Sequence, residues 1–254
     1  MKRNALIALL ALAACSPAKQ PAPQAAKTEA APAPETLPAA PTSKAEALLY
    51  KYTRSWPGHA AASGPYAPRD ACAALDGEED FRLALAKAVA ARDADALLKL
   101  ADPQVRLDFG NAHGGDLLRK RLASPIYKLW DELAAIVPLG CASQAKDSLT
   151  IPWYFAQDFG KRDSAGVMLV IGKDVPLLAS PSDQGAVSAK LSWDAVELAP
   201  GETVAGKGVF AKVATFDGKP GYIARKSLRA LTDYRLMANR TADGWRITGL
   251  IAGD

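Results

Sequence analysis

The chain has 254 residues and carries 31 Lys and Arg against 27 Asp and Glu, which gives a formal net charge of +4. Two of those positive charges belong to Lys2 and Arg3, so a mature chain without them would carry +2. This balance excludes the strongly basic surface that nucleic-acid binding requires. The roughly 205 residues beyond position 45 are enough for one large or two small domains.

The start of the chain is typical of an export signal that ends at residue 14. Lys2 and Arg3 precede an unbroken apolar run from Ala5 to Ala14. Ten residues make roughly 15 Å of helix, about half the hydrocarbon thickness, so this run is too short to span a membrane. Leu12-Ala13-Ala14-Cys15 resembles the lipobox of bacterial lipoproteins. The alternative is an ordinary signal peptide in which Cys15 has no role.

The lipobox resemblance implies an anchored, exported protein whose first partner is membrane lipid. It implies a diacylglycerol on the Cys15 thiol and a fatty acid such as palmitate on the freed amine. The following residue is Ser16. An Asp at that position resembles an inner-membrane retention signal in Gram-negative lipoproteins, so Ser16 predicts the outer membrane, facing the periplasm.

Residues 15–45 are predicted to be the lipidated cysteine followed by a flexible tether. Leu37 is the only large apolar side chain between residues 16 and 45, and Ala and Pro dominate the rest. Such a segment cannot bury enough surface to offset the entropy of ordering it. Its prolines favour an extended chain with a full reach on the order of 90 Å, long enough to hold a domain clear of the headgroups.

The remaining cysteines, Cys72 and Cys141, are a candidate disulfide, because two thiols in an oxidising compartment tend to pair. They flank the helical part of the chain, so a bridge would hold that part together. With only His59 and His113 and no close Cys/His spacing, we predict no metal site and no cofactor.

Residues 46–164 show helical periodicity interrupted by short strands, which predicts a helix-rich α+β region. Phe81, Leu85 and Val89 recur at helical spacing, so a helix is expected from Glu78 to about Ala91. The other predicted elements, in chain order, are a short helix near 48–52, a helix capped by Asp93 that carries Leu97, Leu98 and Leu100, a strand at 105–109, a helix around 117–122, a helix that starts at Ser124-Pro125, and a strand at 149–155.

The stretch Ala91–Leu98, followed by Ala101–Val105, resembles the start of the NTF2-like (nuclear transport factor 2-like) α+β fold. That resemblance implies a pocket, and Asp108, His113 and Asp116 are the candidates for polar or catalytic groups inside it. The simpler interpretation is that residues 110–115 form a glycine-rich turn with an exposed histidine.

Residues 165–232 change to short apolar runs broken by Gly, Pro, Ser and Asp, which is typical of a small barrel or sandwich. The segments that resemble bacterial SH3 domains (the SH3b type) are Val175–Ser182, Phe210-Ala211-Lys212-Val213, Asp217-Gly218-Lys219 and Gly221-Tyr222-Ile223. They stand in the family's order within residues 166–231. Phe210 replaces the family's usual Trp and Leu178 a common Arg, which puts the ligand role of these two positions in doubt.

Residues 233–254 alternate around Asp243-Gly244 and predict a β-hairpin. The hairpin either extends the SH3b-like unit or returns to the sheet of residues 46–164, which would make that unit an insertion. Together the patterns predict an α+β protein: a helix-rich N-terminal region with a few strands, a small SH3-like β-barrel and a C-terminal β-hairpin.

No catalytic motif stands in the folded part, so we expect a non-enzymatic envelope protein whose SH3b-like module binds peptidoglycan or a protein partner. The candidate ligand-binding residues are Phe210, Tyr222, Lys212 and Lys219. Lysines and arginines of this module would meet the carboxylates of the cell wall, unless they form only a solvated rim. The alternatives are a small-molecule or hydrolytic pocket in the NTF2-like region and a purely structural role.

The lipobox interpretation predicts that Cys15→Ala abolishes membrane retention, because the thiol that accepts the diacylglycerol is removed. Fractionation of cells that express the wild type and the variant measures this. Unchanged partition into the membrane fraction would refute lipid anchoring through Cys15.

Overall fold

The computed structural model describes residues 36–253. The predicted signal peptide, Cys15, Ser16 and the greater part of the tether lie outside these residues. Among residues 36–253, no helix is long and apolar enough to cross a membrane. Residues from Leu37 onward belong to one compact unit.

Five α-helices lie in this part of the chain: α1 (Lys44–Leu49), α2 (Glu78–Ala91), α3 (Ala94–Leu100), α4 (Gly115–Ala123) and α5 (Leu129–Ile136). α2 has the predicted bounds, and α3 is capped as predicted, since the Asp93 carboxylate accepts from Ala96 N at 3.0 Å. α1 begins earlier than expected, inside the stretch assigned to the tether. The cause is a capping box, in which the Ser43 hydroxyl and the Glu46 carboxylate each satisfy a backbone N–H of the other residue.

The predicted helix start at Ser124-Pro125 is wrong. Ser124 ends α4, and its hydroxyl accepts from Ile126 N at 3.3 Å, while Ile126 is 86% exposed. Lys128 then adopts a left-handed backbone with φ 47°, and α5 begins only at Leu129. Residues 124–128 therefore form the turn between two helices that share one core, and the serine caps a turn instead of a helix.

Twelve strands follow one another in the described chain: β1 (Ala101–Arg106), β2 (Ala142–Ala145), β3 (Ser148–Ile151), β4 (Val167–Val170), β5 (Val175–Leu178), β6 (Val187–Leu191), β7 (Ala195–Leu198), β8 (Phe210–Thr215), β9 (Pro220–Ala224), β10 (Leu228–Ala230), β11 (Arg235–Thr241) and β12 (Gly244–Ile251). They form two sheets, and the fold is therefore mixed α+β.

The first sheet has the order β1-β12-β11-β3-β2. β12 runs parallel to β1 and antiparallel to β11, so the C-terminal hairpin lies between strands of the first region. β1 starts four residues before the predicted strand and contains Pro103, which an edge strand tolerates because one side of its backbone needs no partner. β3 ends at Ile151, before Pro152, which has no N–H to give to the ladder.

The second sheet has the order β10-β4-β7-β8-β9-β5-β6 and is not a closed barrel, contrary to the prediction. Its two edges do not pair with each other. β10 has only three residues, and β6 exposes Val187, Ser188 and Lys190. These edges therefore have neither the length nor the apolar contact that closure would need.

Strand β4 connects two hydrophobic cores, because all four of its residues are buried. Met168 and Val170 belong to the core inside the second sheet. Val167 and Leu169 face the other way, into a cluster with aromatic residues of the first region such as Trp153. A third core lies between the helices and the first sheet. The second sheet is thus packed against the first region through the outer side of β4.

A charged network crosses the same junction. The Arg229 guanidinium, on β10, donates to the Tyr154 hydroxyl at 3.1 Å, to the Glu132 carboxylate of α5 at 3.1 Å and to the Tyr234 carbonyl at 3.3 Å. Burial raises the pKa of Tyr154 to about 12, so its oxygen remains a neutral acceptor at physiological pH. The network therefore gives the largely buried Arg229 guanidinium its hydrogen-bond partners, at the point where β10, α5 and the segment around Tyr154 meet.

The two cysteines lie at disulfide distance, as their number predicts. Cys72 and Cys141 have Cα atoms 5.8 Å apart, are separated by 69 residues and are fully buried. Backbone bonds join the same two segments, since Ala71 N donates to the Cys141 carbonyl and Cys141 N to the Arg69 carbonyl, both at 3.0 Å. The bridge therefore ties the segment before α2 to the segment after α5.

We expect removal of this bridge to lower the free energy of unfolding by about 2–5 kcal/mol, because a long loop regains entropy in the unfolded chain. Denaturant unfolding of Cys72→Ala/Cys141→Ala, compared with the unreduced wild type, measures the change. In a Cys15→Ala background, neither remaining thiol should react with a thiol reagent in denatured, unreduced protein. Labelling of both would contradict the pairing.

The junction network gives a second stability prediction. Arg229→Ala leaves the buried Tyr154 hydroxyl and the partly exposed Glu132 carboxylate without their partner, at a cost of about 1–3 kcal/mol. Arg92→Ala is the matched control, since Arg92 pairs with the neighbouring Asp131 of α5 in an ion pair that is 62% and 61% exposed. That loss should cost about 0–1 kcal/mol. Equal effects of the two substitutions in denaturant unfolding would refute a role for the network in holding the junction.

Candidate ligand surfaces

Three of the four predicted ligand residues of the second sheet, Phe210, Lys212 and Tyr222, lie on its outward face. Along β8, Ala211 and Val213 enter the core, while Phe210 and Lys212 alternate with them. The register sets Lys212 opposite Tyr222, and Tyr222 also opposite Leu178. Side chains of directly opposed residues share one face of a sheet, so these residues stand together.

Leu178 is in turn paired with Val187 of the edge strand, at a point where the register of the ladder shifts between Leu177 and Leu178. We call the four residues Lys212, Tyr222, Leu178 and Val187, on β8, β9, β5 and β6, the outer row. Val187 is 54% exposed and Tyr222 is half-buried, whereas Leu178 between them is buried, so the row presents two accessible apolar residues with a lysine at one end. Phe210 lies on the same face, two residues before Lys212.

Lys219, in contrast, is already engaged. It lies in the turn between β8 and β9, and its ammonium group donates to the Ser188 carbonyl of β6. Since Ser188 follows Val187, this bond brings the lysine next to the edge of the outer row. This bond holds the turn against β6. It also places the lysine charge near Val187, at one end of the row.

The loop before β8 adds apolar surface beside Phe210. Val209 is 72% exposed. Arg225 holds the loop in place, because its side chain bonds the Glu202 carboxylate at 2.5 Å and its backbone N–H donates to the Val209 carbonyl at 2.9 Å. Sequence reasoning did not include Val209 and Val187 among the ligand residues, since the exposure of a valine in a loop or an edge strand cannot be read from its neighbours in the chain.

A cleft of about 750 Å³ lies where the segment 51–65 meets the second sheet. On the sheet side it is formed by the β4–β5 and β6–β7 turns. We call it the lysine cleft, after Lys51, Lys173 and Lys190, which all line it and are all exposed. The other lining residues that could contact a ligand through a ring or a polar group are Tyr52, His59, Trp193 and Asp194.

The aromatic wall of the cleft is held by specific contacts. The rings of Tyr52 and Trp193 meet edge to face with centroids 4.7 Å apart, and Trp193 is only 4% exposed. Tyr66 N donates to the Trp193 carbonyl at 2.7 Å. At Gly64, an added Cβ would lie 2.0 Å from the Ser192 carbonyl oxygen, so only glycine permits this approach of the segment to the sheet.

The candidate pocket residues of the NTF2-like region do not converge on a cavity. The Asp108 carboxylate accepts from Gly110 N and Ala112 N at 2.9 and 3.0 Å, and it pairs with Arg121 at 3.4 Å. His113 and Asp116 are exposed, and the His113 Nδ1 lies 2.7 Å from the Asn111 carbonyl. These contacts shape the turn before α4, which is the simpler of the two interpretations made from the sequence.

One buried polar cluster was not expected from the sequence. Oxygens of Asp70 and Glu78 and the Cys141 sulfur lie within 4.8 Å of one another, a grouping that resembles a metal site. The fully buried Arg82 donates to both carboxylates, and the Cys141 sulfur belongs to the disulfide. Burial raises the pKa of Glu78. The cluster is therefore an internal ion-pair network that neutralises Arg82 beside the disulfide.

Comparison with known proteins finds little likeness. No protein-family model and no curated protein matches the chain. Among solved structures, it is similar to an NTF2-like protein with a cystatin-like fold from Novosphingobium aromaticivorans, at 13% identity and a TM-score of 0.26. The alignment covers 69% of this chain and 80% of that protein. A TM-score this low does not indicate a function.

Proposed function

We propose that this protein is a non-enzymatic, lipid-anchored lipoprotein of the cell envelope that binds peptidoglycan through the outward face of its second sheet. The observation that carries the proposal is the outer row, in which the accessible apolar residues Tyr222 and Val187 lie between Lys212 at one end and Lys219 beside the other. Sugar rings and peptide side chains pack on such residues, while ammonium groups attract the carboxylates of the wall. The anchor at Cys15 and the spacer after it would bring this face to the wall.

The connectivity of the second sheet supports an SH3b-like origin for this face. β7, β8 and β9 form an antiparallel series, a short 3-10 turn (Arg225–Ser227) precedes β10, and β10 pairs with β4 near the start of the unit. This order of strands and turn is compatible with an SH3-like unit whose strands do not close. The proposal therefore combines the sequence resemblance with a matching order of elements.

A purely structural role is the competing account, and it has one observation in its favour. Val167 and Leu169 lie on the same non-core side of the second sheet as the outer row, and the first region covers them, so part of that side serves packing. Farther from β4, Lys212 is exposed and Tyr222 is half-buried, so that part of the side stays accessible. Its exposed Val187 and Val209 are the residues that a purely structural sheet would have least reason to present to water.

Retention on purified sacculi tests the proposal with the full-length chain in detergent. We expect retention at low ionic strength and a decrease as salt screens the lysines. Tyr222→Ala/Lys212→Glu should reduce retention by about tenfold, since one stacking contact and one exposed ion pair are each worth about 0.5–1 kcal/mol.

The matched control for charge is Lys146→Glu, which makes the same change at an exposed residue between β2 and β3, on the first sheet. It should be retained like the wild type. Absence of wild-type retention at low salt would remove wall binding. Equal loss in the control would reduce the effect to net charge and would overturn the assignment to the outer row.

A further inference from the structure

We propose that the lysine cleft is a separate binding site for a small ligand with at least two anionic groups, carboxylate or phosphate, and an apolar part. The cleft shares no residue with the outer row. The two sites differ in form as well, since one is a flat face of the sheet and the other a concave junction between the sheet and the segment 51–65.

Charge is the first argument. Three lysines and one aspartate line the cleft, which leaves two positive charges when His59 is neutral. Lys173 and Lys190 form no ion pair with any residue between 36 and 253, and Lys51 has its ammonium group 4.8 Å from the centre of the Tyr52 ring. Lysines that line one cleft and outnumber its acidic residues attract anions to it.

The one acidic side chain of the cleft is turned to the backbone. The Asp194 carboxylate accepts from Ala195 N at 2.8 Å, which fixes it at the start of β7. The aspartate therefore does not bridge the lysines, and their charge is left for a ligand.

Shape is the second argument. A volume of about 750 Å³ falls within the range of small-molecule sites, roughly 300–1,000 Å³. The wall is preformed, because Ala62 N donates to the Tyr52 carbonyl at 2.8 Å and Tyr66 N to that of Trp193. Hence a ligand would not have to order this wall when it binds. The half-buried ring of Tyr52 would contact its apolar part, and the buried Trp193 ring would hold Tyr52 in place.

Calorimetric titration of the full-length chain in detergent at low ionic strength tests the site. The probes are an acetylated, amidated tri-glutamate peptide, citrate and pyrophosphate, and an acetylated, amidated tri-glutamine peptide serves as the neutral comparison. We expect at least one anionic probe to bind and the neutral peptide not to bind. The probe that binds most tightly identifies the source of the anionic groups as a peptide, a free carboxylate or a phosphate.

The decisive variant is Lys173→Glu/Lys190→Glu, which should weaken that binding by at least about tenfold through loss of two ion pairs. Lys146→Glu/Lys161→Glu is the matched control: it makes the same charge change at two exposed lysines outside the cleft lining. Thermal unfolding of both variants confirms that each is folded. Failure of every anionic probe to bind, or an equal loss in both variants, would overturn the proposal.

Retention of the cleft variant on sacculi separates this site from wall binding. Because the outer row is unchanged, Lys173→Glu/Lys190→Glu should lose probe binding and keep most of the wild-type retention. Loss of retention with unchanged probe binding would contradict the proposal, since the cleft lysines would then serve the wall and not a small anion.

Discussion

The parallel pairing of β12 with β1 constrains the rest of the structure. The central strands of the first sheet, β12 and β11, come from the last 20 residues, while its outer strands come from residues 101–151. Leu236, Ala238 and Ile247 of this hairpin are almost fully buried in the core under the helices. The first sheet is therefore incomplete until the C-terminal hairpin pairs with β1 and β3. Such long-range pairing makes folding slow.

The same constraint positions the second sheet. All of its strands lie between β3 and β11 in the chain, so the segment that forms the second sheet leaves the first sheet and returns to it. The outer side of β4 is buried there, and Arg229 connects β10 to α5 across the junction. The outer row lies on this same non-core side of the sheet, on the strands β8, β9, β5 and β6 that are farther from β4. The lysine cleft forms where the segment 51–65 reaches the turns of that sheet.

Local signals were enough to predict some elements. The period of Phe81, Leu85 and Val89 predicts α2, and the Asp93 carboxylate predicts the start of α3, because a helix cap involves only neighbouring residues. The pattern at Ser124-Pro125 predicted a helix start that the structure does not have, for the same reason. A serine that caps a turn has the same neighbours in the chain as a serine that caps a helix. Whether the second sheet closes depends on its edges, β6 and β10, which are 37 residues apart or more in the chain, and no local pattern reports that distance.

The sequence by itself determined the helix-rich α+β class, the pairing of the two cysteines in the folded part, the C-terminal hairpin and the choice of Lys212 and Tyr222 as candidate ligand residues. Only the tertiary structure decided that these two residues are cross-strand neighbours, that Lys219 is engaged with β6, and that three lysines far apart in the chain line one cleft. The physical reason is that period, caps and turns act over a few residues, whereas strand register and the approach of Gly64 to Ser192 depend on how distant segments pack.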